Sequence, residues 1–189
     1  MALAEAARKL AIANLLLLYS FFLSLFNITI IQVISTALGI YSIYLQYKGW
    51  SEMEKVKKEY SPGRLSVIET VKGMVFSIAL SSIALILLRV VRTEGALYLA
   101  LALSTASLLV AIYYSVKAII HYLKALRAVD KDYGTKLFVG GLLAVLGAPL
   151  FLTAYMLGIR SLLVSLPALI GLSMLAVQFW QLSSKATQS

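Results

Sequence analysis

Apolar residues form six long stretches along the chain, and the polar residues are concentrated in the gaps between them. The stretches cover residues 10–26, 28–47, 71–91, 96–120, 138–157 and 161–182. An α-helix rises about 1.5 Å per residue, so roughly 20 apolar residues cross a hydrocarbon core of about 30 Å. The pattern predicts an all-α polytopic membrane protein with six transmembrane helices.

The first two stretches are separated by a single polar residue, Asn27. One helix over residues 10–47 would be about 57 Å long, which exceeds the hydrocarbon core. Because Asn tolerates turn conformations, we expect a tight reversal at Asn27. Short gaps at 92–95 and 158–160 predict two further reversals. The helices should therefore form three antiparallel hairpins, at about 10–47, 71–120 and 138–182.

Basic residues fall almost entirely into alternate gaps. Of the 17 Lys and Arg residues, only Arg89, Arg92 and Arg160 lie on the side of the three short reversals. The others lie near the termini, in two longer connectors, 48–70 and 121–137, or in the flanks of those connectors. Under the positive-inside rule, both termini and both connectors should be cytoplasmic. We expect one integral domain, residues 1–189, in the cell membrane.

Composition supports a membrane protein and changes how the charge is interpreted. Hydrophobic residues make up 61% of the chain and charged residues 13%, against about 45–50% and 25% in soluble domains. A formal charge of +9 could indicate nucleic acid, but here the basic residues flank apolar stretches. Anionic lipid headgroups are the nearer partner. We expect membrane lipids and other membrane chains, or further copies of this one, as partners, and no nucleic acid.

The two connectors resemble each other. A shift of 73 positions aligns Val56 with Val129, Lys58 with Lys131 and Tyr60 with Tyr133. At 100° per residue, the apolar positions of each connector form one helical stripe. The pattern predicts amphipathic extensions of helices two and four, stopped at 61–63 and at Gly134, with aromatic residues at headgroup depth.

These extensions form a candidate surface for lipid headgroups or a partner chain, with basic side chains pointing outward. Its residues are Trp50, Lys55, Lys58, Tyr60, Tyr122, Lys124, Arg127, Lys131 and Tyr133.

Few residues are suited to catalysis or metal binding. The chain has no Cys and one His, His121, which excludes disulfides, thiolate sites and a His-rich metal site within one chain. We expect no cofactor, no metal and no catalytic set. Glu69 lies three residues before Lys72, a spacing typical of an ion pair, with a role at an ion-pathway entrance as the alternative.

Small and hydroxyl-bearing residues are frequent inside the apolar stretches. They favour close helix packing, and the alternative is a hydroxyl-lined path for ions or small solutes, opened by a kink in helix five. The candidate positions are Gly140, Gly141, Gly147, Pro149 and Ser81. Asn27, Ile28 and Thr29 also form a glycosylation acceptor sequence, whose use stays open.

Several short motifs resemble those of an archaeal, chiefly crenarchaeal, family of multi-pass membrane proteins, domain of unknown function 973. They are Lys9-Leu10, Leu38-Gly39, the run 59–63 and its counterpart at 132–134. The resemblance covers most of the chain, and it implies an archaeal membrane protein without an assigned activity.

Three functions remain open from the sequence. The favoured hypothesis is a non-catalytic accessory or scaffold subunit in a homo-oligomer or larger membrane complex, because small-residue helix faces and tyrosine-rich helices favour protein contacts. The alternatives are a small channel or facilitator, and a membrane enzyme acting on lipid headgroups.

Overall fold

The computed structural model describes residues 2–24, 26, 28–91, 93–156 and 162–188, with side chains described except at 148–156, 162–164 and 188. The elements are α1 (Ala2–Ser24), α2 (Thr29–Val56), a 3-10 turn (Lys58–Tyr60), α3 (Ser61–Val90), α4 (Glu94–Tyr133), α5 (Leu137–Met156) and α6 (Leu162–Gln188). Every regular element among the described residues is helical, which confirms the predicted all-α class.

Several helices are long and apolar enough to span a membrane. Within the described part of the chain there are five such helical stretches: Ala2–Ser24, Thr29–Val56, Lys58–Val90, Glu94–Tyr133 and Ser165–Thr187. A shorter apolar stretch covers Leu137–Gly147. This pattern is compatible with a multi-pass membrane protein.

The apolar region 10–47 forms two helices, because α1 ends at Ser24 and α2 begins at Thr29. Asn27, Arg92 and the reversal predicted at 158–160 lie outside the described residues.

The stop predicted at 61–63 is wrong, because these residues begin α3. Helix α2 ends at Val56, and Lys57 leaves it in an extended conformation with φ −150°. A 3-10 turn follows, and Pro62 is the second residue of α3. Proline is favoured in the first helical turn, where its missing N–H would have no intrahelical acceptor. By contrast, Gly134 follows α4 directly with φ 63°, the left-handed conformation that glycine adopts at helix ends.

The chain forms two compact units. The first contains the residues up to Arg64 and those from Tyr122 onward, and the second is Leu65–His121. In the first unit, α1 packs against α2 and α6, and α5 packs against α6. The second unit consists of the apolar parts of α3 and α4. Its residue range is similar to that of the hairpin predicted at 71–120.

Small residues set the contacts within the hairpins of the first unit. Gly49 of α2 lies against Leu10, whereas Ser42 reaches the carbonyl oxygen of Ala13. The later residue of α2 therefore contacts the earlier residue of α1, so α1 and α2 are antiparallel. Helices α5 and α6 are antiparallel for the same reason, because Gly140 lies against Gly171 and Gly147 lies against Ala168.

The largest buried side chains of the first unit lie near the connectors. Trp50 packs edge-on against the rings of Tyr122 and Phe179, with centroids 6.2 and 5.8 Å away. Its indole also lies directly over Gly63, where an added Cβ would be 2.1 Å from the ring. We call Trp50, Tyr122 and Phe179 the aromatic core. It joins α2, α4 and α6.

Candidate functional site

The two predicted connectors contact each other. Lys57 Nζ donates to both carboxylate oxygens of Asp132, at 2.9 and 2.8 Å. The Tyr60 hydroxyl donates to the same carboxylate, and Trp50 packs against Tyr122 in the aromatic core. Each connector therefore buries part of its apolar stripe against other helices of the first unit.

This packing corrects the prediction for two surface residues. Trp50 and Tyr60 have no exposed area, so neither lies on a surface for headgroups or a partner. An amphipathic stripe has the same sequence pattern whether a lipid interface or another helix covers it.

The predicted basic side chains do point outward. Lys55, Lys58, Lys124, Arg127 and Lys131 are exposed, whereas Tyr122 and Tyr133 are partly buried. Arg127 places its guanidinium 4.2 Å from the centre of the Phe138 ring, a favourable cation–π contact. The candidate surface is thus basic, with fewer aromatic side chains than the sequence predicted.

Asp132 lies beyond the apolar part of α4. Its hydrogen bonds to the Lys57 ammonium and the Tyr60 hydroxyl lower the pKa of this carboxyl, and the same ion pair raises the pKa of Lys57. A lowered folded-state pKa means that this carboxylate stabilises the connector contact at neutral pH. Its contribution is lost as the pH falls through that lowered pKa.

Asp130 has a structural role that the sequence analysis missed. Its Oδ1 accepts the N–H of Leu137 and its Oδ2 accepts that of Phe138, both at 2.8 Å, and the Thr135 hydroxyl is a third donor. The last turn of α4 thus caps the first turn of α5. An Asp in the last turn of a helix interacts unfavourably with the helix dipole. This unusual position is the sequence signal that could have indicated a capping role for Asp130.

A pocket of about 490 Å³ lies beside this cap. Its polar lining includes Lys136, Lys185, Gln178 and Gln181, and Tyr133 forms part of the wall. The backbone N–H of Lys136 donates to Gln178 Oε1 at 3.4 Å, which ties the start of α5 to α6. Tyr133 is the predicted surface residue that the structure places in a concave site.

The predicted glycines lie at helix contacts. A Cβ on Gly147 would be 2.2 Å from the backbone nitrogen of Ala168 in α6, and one on Gly140 would be 3.2 Å from the Gly171 carbonyl oxygen. Gly141 instead faces α4, where a Cβ would be 2.2 Å from Leu126. The side chain of Pro149 lies outside the described residues.

Reciprocal serine pairs join helices in both units. In the first, Ser20 and Ser35 each donate to the other's carbonyl oxygen, at 2.8 and 2.7 Å. In the second, Ser77 and Ser107 do the same at 3.2 and 3.0 Å. We call each pair a serine clasp. Ser81, a predicted pore residue, lies 3.0 Å from the Ser107 hydroxyl, so it extends the second clasp.

The second unit also contains a nearly buried carboxylate. Glu69 is paired with Lys72 at 3.1 Å, as its spacing predicted, and Lys117 of α4 lies 4.0 Å away. Lys117 also contacts the ring of Tyr113. This cluster joins α3 to α4 where the apolar stretch of α3 begins.

The fold and these contacts define an all-helical protein with several helices of membrane-spanning length, whose connectors pack on one another. Searches against protein-family models, curated proteins and solved structures found no match.

Proposed function

We propose that this protein is a non-catalytic integral membrane accessory or scaffold subunit, which packs in a homo-oligomer or a larger membrane complex. The observation that carries the proposal is the outer surface of the second unit. Large apolar and aromatic side chains are exposed on both of its helices: Val75, Phe76, Ile78, Leu85, Ile86, Tyr98, Leu101, Leu108, Leu109 and Tyr113.

Exposed apolar side chains can contact either lipid or protein. The exposed tyrosines are the observation that favours a protein partner. Tyr98 is 71% exposed and Tyr113 56% exposed. In the first unit, Tyr41 and Tyr44 form an exposed stacked pair with centroids 6.1 Å apart. Tyrosine combines a large apolar ring with a hydroxyl, and aromatic residues are enriched at protein interfaces.

The serine clasps support the packing interpretation of the hydroxyl-rich helices. Ser20, Ser35, Ser77 and Ser107 direct their hydroxyls to the carbonyl oxygens of a neighbouring helix. Such bonds hold helices together inside a bilayer. A channel along these helices would require at least some of these serine hydroxyls to face a water-filled path.

The proposal includes the number of membrane spans and the orientation of the chain in the membrane. The placement of the basic residues supports six spans, arranged as three hairpins, with both termini and both connectors in the cytoplasm. The short motifs that resemble those of the archaeal family favour a membrane protein of that group.

Site-specific photo-crosslinking in native membranes tests the scaffold role. A crosslinking amino acid at Leu109, which is 62% exposed, should capture another protein chain, whereas one at the fully buried Ala125 should not. Mass spectrometry of the captured product identifies either a second copy or another subunit.

A measurement of ion and solute flux in liposomes completes the test. A chain that crosslinks only to lipid, runs alone after purification and conducts ions would overturn the scaffold proposal in favour of the channel. Capture of a chain at position 109 without conductance would support the scaffold.

A further inference from the structure

We propose that the pocket at the α4–α5 turn and the end of α6 binds a phosphate group, carried by an anionic lipid or free in solution. We call it the Lys136–Lys185 pocket. This inference goes beyond the scaffold role, since a scaffold needs no ligand at this place.

The charge and hydrogen-bonding groups of the pocket suit an anion. Lys136 and Lys185 contribute two ammonium groups, and Gln178 and Gln181 contribute side-chain amides. Because Gln178 Oε1 accepts the Lys136 N–H, its NH₂ group is the part of that amide that can donate to a ligand. Lysine binds phosphate as a point charge, and bonds to charged groups are stronger than neutral ones.

Carboxylates do not line the described wall of this pocket. Asp130 lies beside the pocket, because its carboxylate accepts a hydrogen bond from the Thr135 hydroxyl of the lining. It also accepts the N–H groups of Leu137 and Phe138, so its charge is directed at the first turn of α5. Asp132 is likewise occupied by Lys57. The two lysines are therefore not neutralised by these neighbouring acids.

The pocket lies where two apolar stretches end. Lys136 immediately precedes the apolar helix α5, and Lys185 follows Leu182, a buried residue of α6. The other wall residues include Leu3 and Ala186. Basic pockets between helices at such a boundary hold lipid headgroups, because the phosphate binds the lysines and the glycerol and acyl parts bind the apolar wall. A volume of about 490 Å³ is also within the range of small-ligand sites.

Binding of short-chain phosphatidylglycerol to the purified full-length protein in detergent tests the proposal. Isothermal calorimetry should show binding that is weakened about tenfold or more by the double change Lys136→Gln and Lys185→Gln, because each lysine forms a charge-assisted contact. The matched control is Arg8→Gln with Lys48→Gln, which removes the same charge at exposed positions outside the lining and outside the candidate headgroup surface. Its affinity should stay within about twofold of the unchanged protein.

A second variant separates the pocket from diffuse charge attraction. Ala186→Trp fills the pocket and leaves both lysines in place, so it should also reduce binding at least tenfold. Unfolding midpoints close to that of the unchanged protein would show that both variants keep the fold.

Competition identifies the source of the phosphate. If inorganic phosphate alone binds and depends on the same lysines, the site takes free phosphate; if only the lipid binds in this way, the site takes a headgroup. Equal affinity of the pocket variants and the control, or no binding of either probe, would overturn the proposal.

Discussion

At the residue scale, Gly147 sets how closely α5 approaches α6. A Cβ at this position would be 2.2 Å from the nitrogen and 2.7 Å from the Cα of Ala168, and backbone atoms cannot move aside without separating the helices. We expect Gly147→Ala to lower the free energy of unfolding by about 1–3 kcal/mol, as overpacking typically does. Thermal unfolding in detergent measures the effect.

Gly95→Ala is the matched control for this change. An added Cβ there meets no atom within 4 Å, and alanine is favoured over glycine within helices. The stability of this variant should be unchanged or slightly higher. Equal losses at positions 95 and 147 would show that the close contact between α5 and α6 is absent.

Asp130 provides a second test at the residue scale. Removing its carboxylate leaves the N–H groups of Leu137 and Phe138 without their acceptor. Loss of a helix cap costs about 0.5–2 kcal/mol, so Asp130→Ala should lower the unfolding midpoint measurably. Lys131→Ala changes the next, exposed residue of the same turn and should have little effect. A midpoint unchanged by Asp130→Ala would contradict the cap.

At the element scale, the serine clasps hold pairs of helices together. Ser107 donates to Ser77 and lies beside the Ser81 hydroxyl, so Ser107→Ala removes one bond and one hydroxyl partner. Interhelical hydrogen bonds in membranes contribute about 0.6 kcal/mol on average and up to about 1.7. We expect a stability loss in this range, measured by unfolding in mixed micelles.

The control for the clasp is Ser104→Ala, which lies one turn earlier on α4 and is exposed. It should leave stability unchanged. Under the channel hypothesis the outcome differs, because Ser107→Ala would then change solute flux in liposomes while stability stays constant.

At the scale of the whole molecule, the distribution of basic residues predicts the orientation in the membrane. The chain has no cysteine, so single substitutions Lys58→Cys, Lys131→Cys and Glu94→Cys give unambiguous labels. All three positions are exposed. In sealed vesicles whose outer face is the cell exterior, an impermeant maleimide should label position 94 and reach positions 58 and 131 only after permeabilisation.

Labelling of positions 58 and 94 from the same side would contradict the proposed threading. The same reagent applied to detergent-solubilised protein should label all three positions, which controls for their accessibility.

Several features were predictable because they depend on local properties of the chain. The length of an apolar stretch determines whether it can span a membrane as a helix, and the described helices follow those stretches. The ion pair of Glu69 with Lys72 follows from helical spacing alone. The contact positions of Gly140 and Gly147 were likewise predicted, because small residues permit close helix packing.

Other features required the tertiary structure because they depend on which helix covers a given face. Trp50 and Tyr60 were predicted at a headgroup surface, but other helices of the first unit bury them. The sequence pattern of an amphipathic stripe does not specify whether lipid or another helix packs on it. The bonds of Asp130 to Leu137 and Phe138 require the chain to reverse at Gly134. The sequence by itself thus determined that the chain is helical, with several helices long and apolar enough to span a membrane, since composition and length control partition into a bilayer. Only the tertiary structure decided that the two connectors pack together and leave a basic pocket beside them, because those contacts join residues distant along the chain.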